Sequence, residues 1–165
     1  MNDKQDRNVL FICTGNTCRS VMAEYLLRNI LKENGIGGIN VSSAGTAASP
    51  SYRIYGALKT VMDERGLDVS GHESTQVTKA MLDGSHLILV MEEKHKDYLT
   101  GLSPENKNKI FLLKEYAGES DFSKDIPDPI GSPAEIYRAT MSEIEKYIFK
   151  SLNKITRKGA NDGCA

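Results

Sequence analysis

The chain has 165 residues, with 21 Lys and Arg against 22 Asp and Glu and a formal net charge of −1. That length suits one domain with one sizeable core, and the near-neutral balance argues against a nucleic-acid or membrane-surface partner drawn by bulk charge. Three cysteines, an odd number, argue against a disulfide-built secreted fold and for a reducing cytoplasm, while the polar start MNDKQDRN is no signal peptide and no run approaches the ~18 apolar residues of a membrane span.

The first element is an apolar run, Asn8 to Ile12, that reads as a buried strand. CTGNTCRS, residues 13 to 20, follows as a short loop, and a helical pattern begins near Cys18. Met22, Leu26 and Ile30 form one row of that helix and Ala23, Leu27 and Leu31 the next. Glu24, Arg28, Lys32 and Glu33 lie off the stripe, and Gly35 is the expected stop. A second strand is predicted over Asn40 to Ser43, a helix from Tyr52 to about Arg65, and a shorter helix over Val77 to Leu82. Two more strands are predicted, His86 to Met91 and Lys109 to Leu113. Ser132-Pro133-Ala134-Glu135 has the form of a capping box with Pro at the first helical position. Tyr137, Met141, Ile144, Ile148, Leu152 and Ile155 then recur at helical spacing.

Strand and helix in alternation predict an α/β three-layer sandwich: a central four-stranded parallel sheet with helices on both faces. The expected domain spans residues 1–157, and the unpatterned KGANDGCA, 158–165, is expected to fray. In such sheets ligands sit at the carboxyl ends of the strands, where CTGNTCRS follows the first one.

The composition of this loop suits a tetrahedral oxyanion. Gly15 and Asn16 are the residue types that most readily take left-handed angles, so successive N–H groups, from Thr14 to Cys18, can turn inward as a nest. The helix start adds unpaired N–H groups and the positive end of its dipole, and Arg19 adds a forked guanidinium. Cys13 would lie at the floor. A thiol near pKa ~8.5 falls to roughly 3.5–7.5 beside cations and helix N-termini, which makes it a nucleophile. Ser20 would donate to the thiolate. A lone cysteine beside an apolar run is usually a core filler, but C-x5-R between a buried strand and an amphipathic helix favours chemistry. Cys13 and Cys18 find no histidine at zinc-finger spacing, so no metal site is expected. The Walker and dinucleotide glycine patterns are both absent. Further along, DIPDPIGSP supplies Asp128 between two prolines that stiffen its backbone; it reads equally as an acid or as a Pro-rich turn. Asp125 is the weaker candidate acid.

These motifs resemble the low-molecular-weight protein tyrosine phosphatase family, whose signature is C-x5-R-S near the N-terminus. The resemblance extends through Ser43-Ala44-Gly45-Thr46, His72 and Asp128-Pro129, and so over nearly the whole chain. It implies a phosphatase in which Cys13 is the nucleophile, Arg19 clamps the phosphoryl group and Asp128 is the general acid and base. Thr14, Gly15, Asn16, Thr17, Cys18 and Ser20 would contact the substrate's phosphoryl group. Ser43 and His72 would hydrogen-bond the loop-ordering Asn16, His72 reading otherwise as a surface or capping residue. The implied partners are phosphorylated proteins in the cytoplasm, with no cofactor.

Within the family the loop CTGNTCRS, the stretch FLLKEYAG (111 to 118) and the pattern D-P-x-G-[GS] resemble the bacterial protein-arginine phosphatases. Thr17 stands where tyrosine-specific members often carry an aliphatic residue; the resemblance implies that it favours phosphoarginine, although Thr is also a common helix cap. Ile130 and Gly131 follow Asp-Pro, where tyrosine-specific enzymes usually have aromatics and the arginine phosphatases have Phe; Val21 stands where the latter have Pro. Tyr52 or Tyr55 would supply an aromatic wall. The expectation is therefore a phosphoarginine phosphatase acting through a phosphocysteine, with phosphotyrosine as the alternative. Arsenate reductase is a remote reading, because no cysteine lies between Cys18 and Cys164 to resolve a disulfide. A non-catalytic phosphate-binding module is another, opposed by the joint presence of nucleophile, Arg and acid. Cys18 reads as a redox partner of Cys13 or as a small core side chain.

Overall fold

The apolar run that follows the charged N-terminus is the inner strand of a parallel sheet. β1 (Arg7–Cys13) pairs with β2 (Ile39–Gly45) on one side and with β3 (Leu87–Val90) on the other, and β3 pairs with β4 (Ile110–Leu112), giving the order β2-β1-β3-β4. The computed structural model describes residues 6–54, 56–120 and 122–157, so the tail at 158–165 lies outside the described residues. Among those described, the helices are α1 (Arg19–Glu33), α2 (Ala57–Glu64), α3 (Lys79–Gly84), α4 (Glu93–Leu102), α5 (Leu113–Tyr116) and α6 (Ala134–Thr156), with a 3-10 segment at Pro104–Lys109.

Side chains alternate across the sheet, and each face has its own core. Val9, Phe11, Leu87 and Leu89 pack with Met22, Leu26 and Leu27 of α1 and Met141, Ile144 and Ile148 of α6. Leu10, Ile12, Ile88 and Val90 pack on the other side with Leu82 of α3 and Leu99 of α4. Burial on both faces is why the strands read as unbroken apolar runs. Each fully buried Leu, Ile or Phe contributes roughly 1.5–3 kcal/mol. The result is the expected three-layer sandwich, with β1 delivering Cys13 to the carboxyl edge.

Several boundaries differ from the sequence reading. α2 begins at Ala57 rather than Tyr52, because Gly56 takes φ +65° and breaks the helical path. Tyr52 and Arg53 are thereby left in a loop. α3 starts at Lys79, capped by the Thr78 side chain on Met81 N–H, and Val77 lies before it in the core. α6 starts at Ala134; Pro133 holds the cap position with φ −62° and ψ 161°, and no side chain caps the helix. α4, the 3-10 segment and α5 were not anticipated. The buried face of α4 is only His95 and Leu99, which leaves no apolar stripe to read. Glu24, expected on the polar side of α1, is 6% exposed.

Candidate active site

The site is built on the turn from β1 into α1. Cys13 ends the strand, buried, opposite Gly45 of β2. Gly45 has a steric reason to be glycine. A Cβ there would overlap Thr14 O and stand 2.9 Å from Asn16 N, so the end of β2 serves as a flat backing for the loop. Asn16 takes the left-handed turn, φ +52°. Gly15, expected to share that role, does not take a positive φ. Its missing side chain instead keeps the cavity wall open between Thr17 Oγ1 and the Tyr52 ring, 3.4 and 3.9 Å from where its Cβ would be.

A left-handed non-glycine residue costs of order 1 kcal/mol, and hydrogen bonds around Asn16 offset it. Its Oδ1 accepts Thr75 N–H at 2.9 Å, and its Nδ2 donates to Ser20 Oγ at 2.9 Å and Ser43 Oγ at 2.8 Å. Its carbonyl accepts from His72 Nε2 at 2.9 Å and Ser74 Oγ at 3.1 Å. Ser20 Oγ lies 2.9 Å from Cys13 Sγ. Ser43, His72, Ser20 and Cys13 therefore meet around one asparagine.

Arg19 opens α1 and is 1% exposed. Its Nη1 donates to the Glu92 carboxylate and, at 2.7 Å, to Ile126 O; its Nη2 donates to Asp128 Oδ2 at 2.9 Å. The Nε–H is buried and has no protein partner. An unsatisfied buried donor on a cation is costly, and an oxyanion in the loop would satisfy it. No acidic side chain stands in the first turn of α1, so the positive end of the helix is left for an anion.

Asp128 arrives on the segment between α5 and α6. Ile126 N–H donates to Met91 O at 2.8 Å, and Asp125 Oδ1 accepts Glu93 N–H at 2.8 Å. Asp125 thus caps α4 and is engaged away from Arg19. Asp128 faces inward, accepting Ile130 N–H at 3.2 Å on its other oxygen. Cys13, Thr17, Arg19, Tyr52, Asp128 and Tyr137 line one cavity of about 760 Å³, together with Thr14, Gly15 and Cys18. Ile130 stands on its rim, 69% exposed. Tyr52 supplies an aromatic wall; Tyr55 lies outside the described residues.

Two further groups shape the electrostatics. Burial pushes the Cys18 thiol far up, Cys13 and Asp128 adding to the effect against Arg19, so Cys18 is a neutral thiol. His95 is buried, and that burial, with Arg19 nearby, pushes its imidazole down to about 4. Its Nδ1 accepts Glu92 N–H at 3.1 Å, so the ring proton sits on Nε2, which donates to Thr14 Oγ1 at 2.8 Å. Glu92, His95 and Ile126 escaped the sequence reading, Gly45 was read only as part of the Ser43–Thr46 resemblance, and Tyr137 only as core. The available signal was position: Glu92 and His95 directly follow β3, at the carboxyl edge where a parallel sheet binds ligands.

No helix among the described residues is long and apolar enough to cross a membrane. The family model for low molecular weight phosphotyrosine protein phosphatase matches residues 8–161. A protein-arginine-phosphatase from Geobacillus stearothermophilus is 39% identical over 147 residues, 89% of this chain and 95% of the relative. The solved YwlE arginine phosphatase in which serine replaces the active-site cysteine, and is phosphorylated, superposes with a TM-score of 0.82 at 32% identity, covering 90% of this chain and 95% of that one. A low molecular weight protein tyrosine phosphatase from T. tengcongensis superposes with a TM-score of 0.83 at 36% identity, covering 90% and 99%. An oxyanion loop at the end of β1 and a family match over almost the whole chain lead to one conclusion: the chain belongs to the low molecular weight phosphotyrosine protein phosphatase family and is a cysteine-dependent protein phosphatase.

Proposed function

We propose that the enzyme hydrolyses protein phosphoarginine through a phosphocysteine at Cys13. The observation that carries this reading is the carboxylate of Asp128 beside Arg19 on the wall of the cavity that Thr17 also lines. A carboxyl group there suits the substrate's planar guanidino group: one oxygen accepts an N–H while the other, protonated, donates to the leaving nitrogen. Cys13 Sγ attacks phosphorus, the P–N bond breaks, and its electron pair leaves on nitrogen, which takes a proton from Asp128. Asp128 then removes a proton from water, the oxygen attacks phosphorus, and the S–P bond breaks to return the thiolate, to which Ser20 donates. Arg19 and the loop N–H groups stabilise the equatorial oxygens throughout. The arginine-phosphatase relative at 39% identity supports this substrate.

The Tyr52 ring on the cavity wall favours a second reading, phosphotyrosine, since a phenyl group would stack there. Comparing kcat/KM on matched phosphoarginine and phosphotyrosine peptides separates the two. We expect phosphoarginine to be preferred by tenfold or more on the order-of-magnitude scale of one well-placed interaction, and Thr17→Ile to shift the ratio toward phosphotyrosine. A parent enzyme that prefers phosphotyrosine overturns the assignment.

A further inference from the structure

Tyr137 occupies an apolar position of α6, and its ring belongs to the same core cluster as Met141 and Ile144. A phenylalanine would fill that space as well. A tyrosine there takes a hydroxyl out of water, which costs free energy unless the oxygen finds a partner. The hydroxyl end meets the cavity, whose wall Tyr137 shares with Thr17, Cys18, Asp128 and Gly131. Burial pushes the phenol up from its ordinary value, Cys18 and Asp128 adding to the effect against the Gly131 N–H. These three neighbours all lie on the cavity wall, so the oxygen does too. It is a neutral hydroxyl, able to donate and to accept.

The donors of a phosphoarginine give this hydroxyl a task. A phosphorylated guanidino group carries several N–H groups, whereas the ring of a phosphotyrosine carries none. Asp128 cannot meet them all. Its Oδ2 accepts from Arg19 Nη2 at 2.9 Å, its Oδ1 accepts from Ile130 N–H at 3.2 Å, and one of the two must also carry the proton for the leaving nitrogen. A substrate N–H that enters the cavity without an acceptor keeps its desolvation cost. Of the residues on the wall that carry a hydroxyl, Tyr137 alone is buried. It therefore offers an acceptor where water is least able to serve as one.

We propose that the Tyr137 hydroxyl is a specificity-determining contact: it accepts an N–H of the substrate's guanidino group that Asp128 leaves unmet, and so favours phosphoarginine over phosphotyrosine. This rests on the phosphoarginine reading of the site. A purely structural hydroxyl would instead hold the Gly131 backbone against α6 and would serve every substrate alike. The two roles differ in what removal of the oxygen does to the ratio of the two substrates.

Tyr137→Phe keeps the ring in the core and removes only the oxygen. The test measures kcat/KM of parent and variant on matched phosphoarginine and phosphotyrosine peptides, with thermal unfolding to confirm that the variant is folded. We expect a fall of about three- to tenfold on phosphoarginine, the worth of one hydrogen bond between neutral groups, and no change on phosphotyrosine. An equal or larger fall on phosphotyrosine assigns the hydroxyl to the Gly131 backbone and overturns the proposal, as does no change on either substrate. Failure of the underlying reading is distinct, because it is seen in the parent alone, as a preference for phosphotyrosine.

Discussion

The two halves of the site are held in different ways. The loop that carries Cys13 is fixed from all sides: Cys13 belongs to an inner strand, Arg19 to a long helix, and Asn16 spends every side-chain hydrogen-bonding group, on the buried Ser20 and Ser43 and on Thr75 N–H. The segment that carries Asp128, the proposed acid, is tied down at Asp125 and Ile126, then runs on with Asp128 partly exposed and Ile130 on the surface. Phe122, earlier in the same segment, is wholly exposed. Segments with few buried contacts open at small free-energy cost. The Cys13 loop is thus built into the fold, whereas Asp128 rests on two anchors.

Breaking the nucleophile side should have the largest effect. Cys13→Ser is expected to lower phosphate release below detection in a steady-state assay while thermal unfolding stays near that of the parent; retained turnover would sink the mechanism for any phosphoryl substrate. Asp128→Asn comes next. It removes the proposed proton donor but no core contact, so kcat should drop by roughly 10²–10³, and a chemically activated leaving group that needs no protonation should recover much of the phosphorylation step in single-turnover experiments.

The anchors come third. Ile126 is fully buried, so Ile126→Ala should cost about 2–4 kcal/mol in denaturant unfolding. Because Ile126 O holds Arg19, kcat/KM should also drop; a variant that loses stability but keeps full kcat/KM would show that the anchor does not serve Asp128 and Arg19. The smallest effect at neutral pH concerns His95. Its imidazole is held down to about 4 in the fold against an ordinary value of 6.5. The unfolded chain therefore binds the extra proton first. The stabilisation is complete above about pH 6.5 and is lost as pH falls toward 4, on the order of 3 kcal/mol in all. Urea midpoints at pH 7 and pH 4.5 should show this decline, and His95→Asn should flatten it; an equal decline in the variant would assign the acid sensitivity elsewhere.

What was legible in the sequence follows the same division. β1, α1 and α6 announced themselves because their packing repeats within the element, and Cys13, Arg19 and Ser20 sit on such elements at fixed spacing. Asp128 was marked by its flanking prolines. The remaining features depend on partners distant in the chain. Glu24 looked like a solvated residue because the serine that draws it inward is on β2. The need for glycine at 45 comes from the backbone of another loop, not from its own turn. Glu92 caps, and His95 lies in, a helix with almost no apolar face; Tyr52 was legible as a wall of the cavity, but its loop was not, because Gly56 interrupts the periodic stretch there. Local pattern reports local packing; approach between strands has no signature in spacing.

Arg19 spans the two halves, since the guanidinium that lies in the anion loop also holds Ile126 O and Asp128. The two sites are therefore thermodynamically linked. An oxyanion that binds better when the acid segment is docked on Arg19 must, by reciprocity, favour docking by the same factor. Inorganic phosphate, the product, would then report on the acid segment as much as on the loop, and a substitution far out on that segment would be read in phosphate affinity before it was read anywhere else.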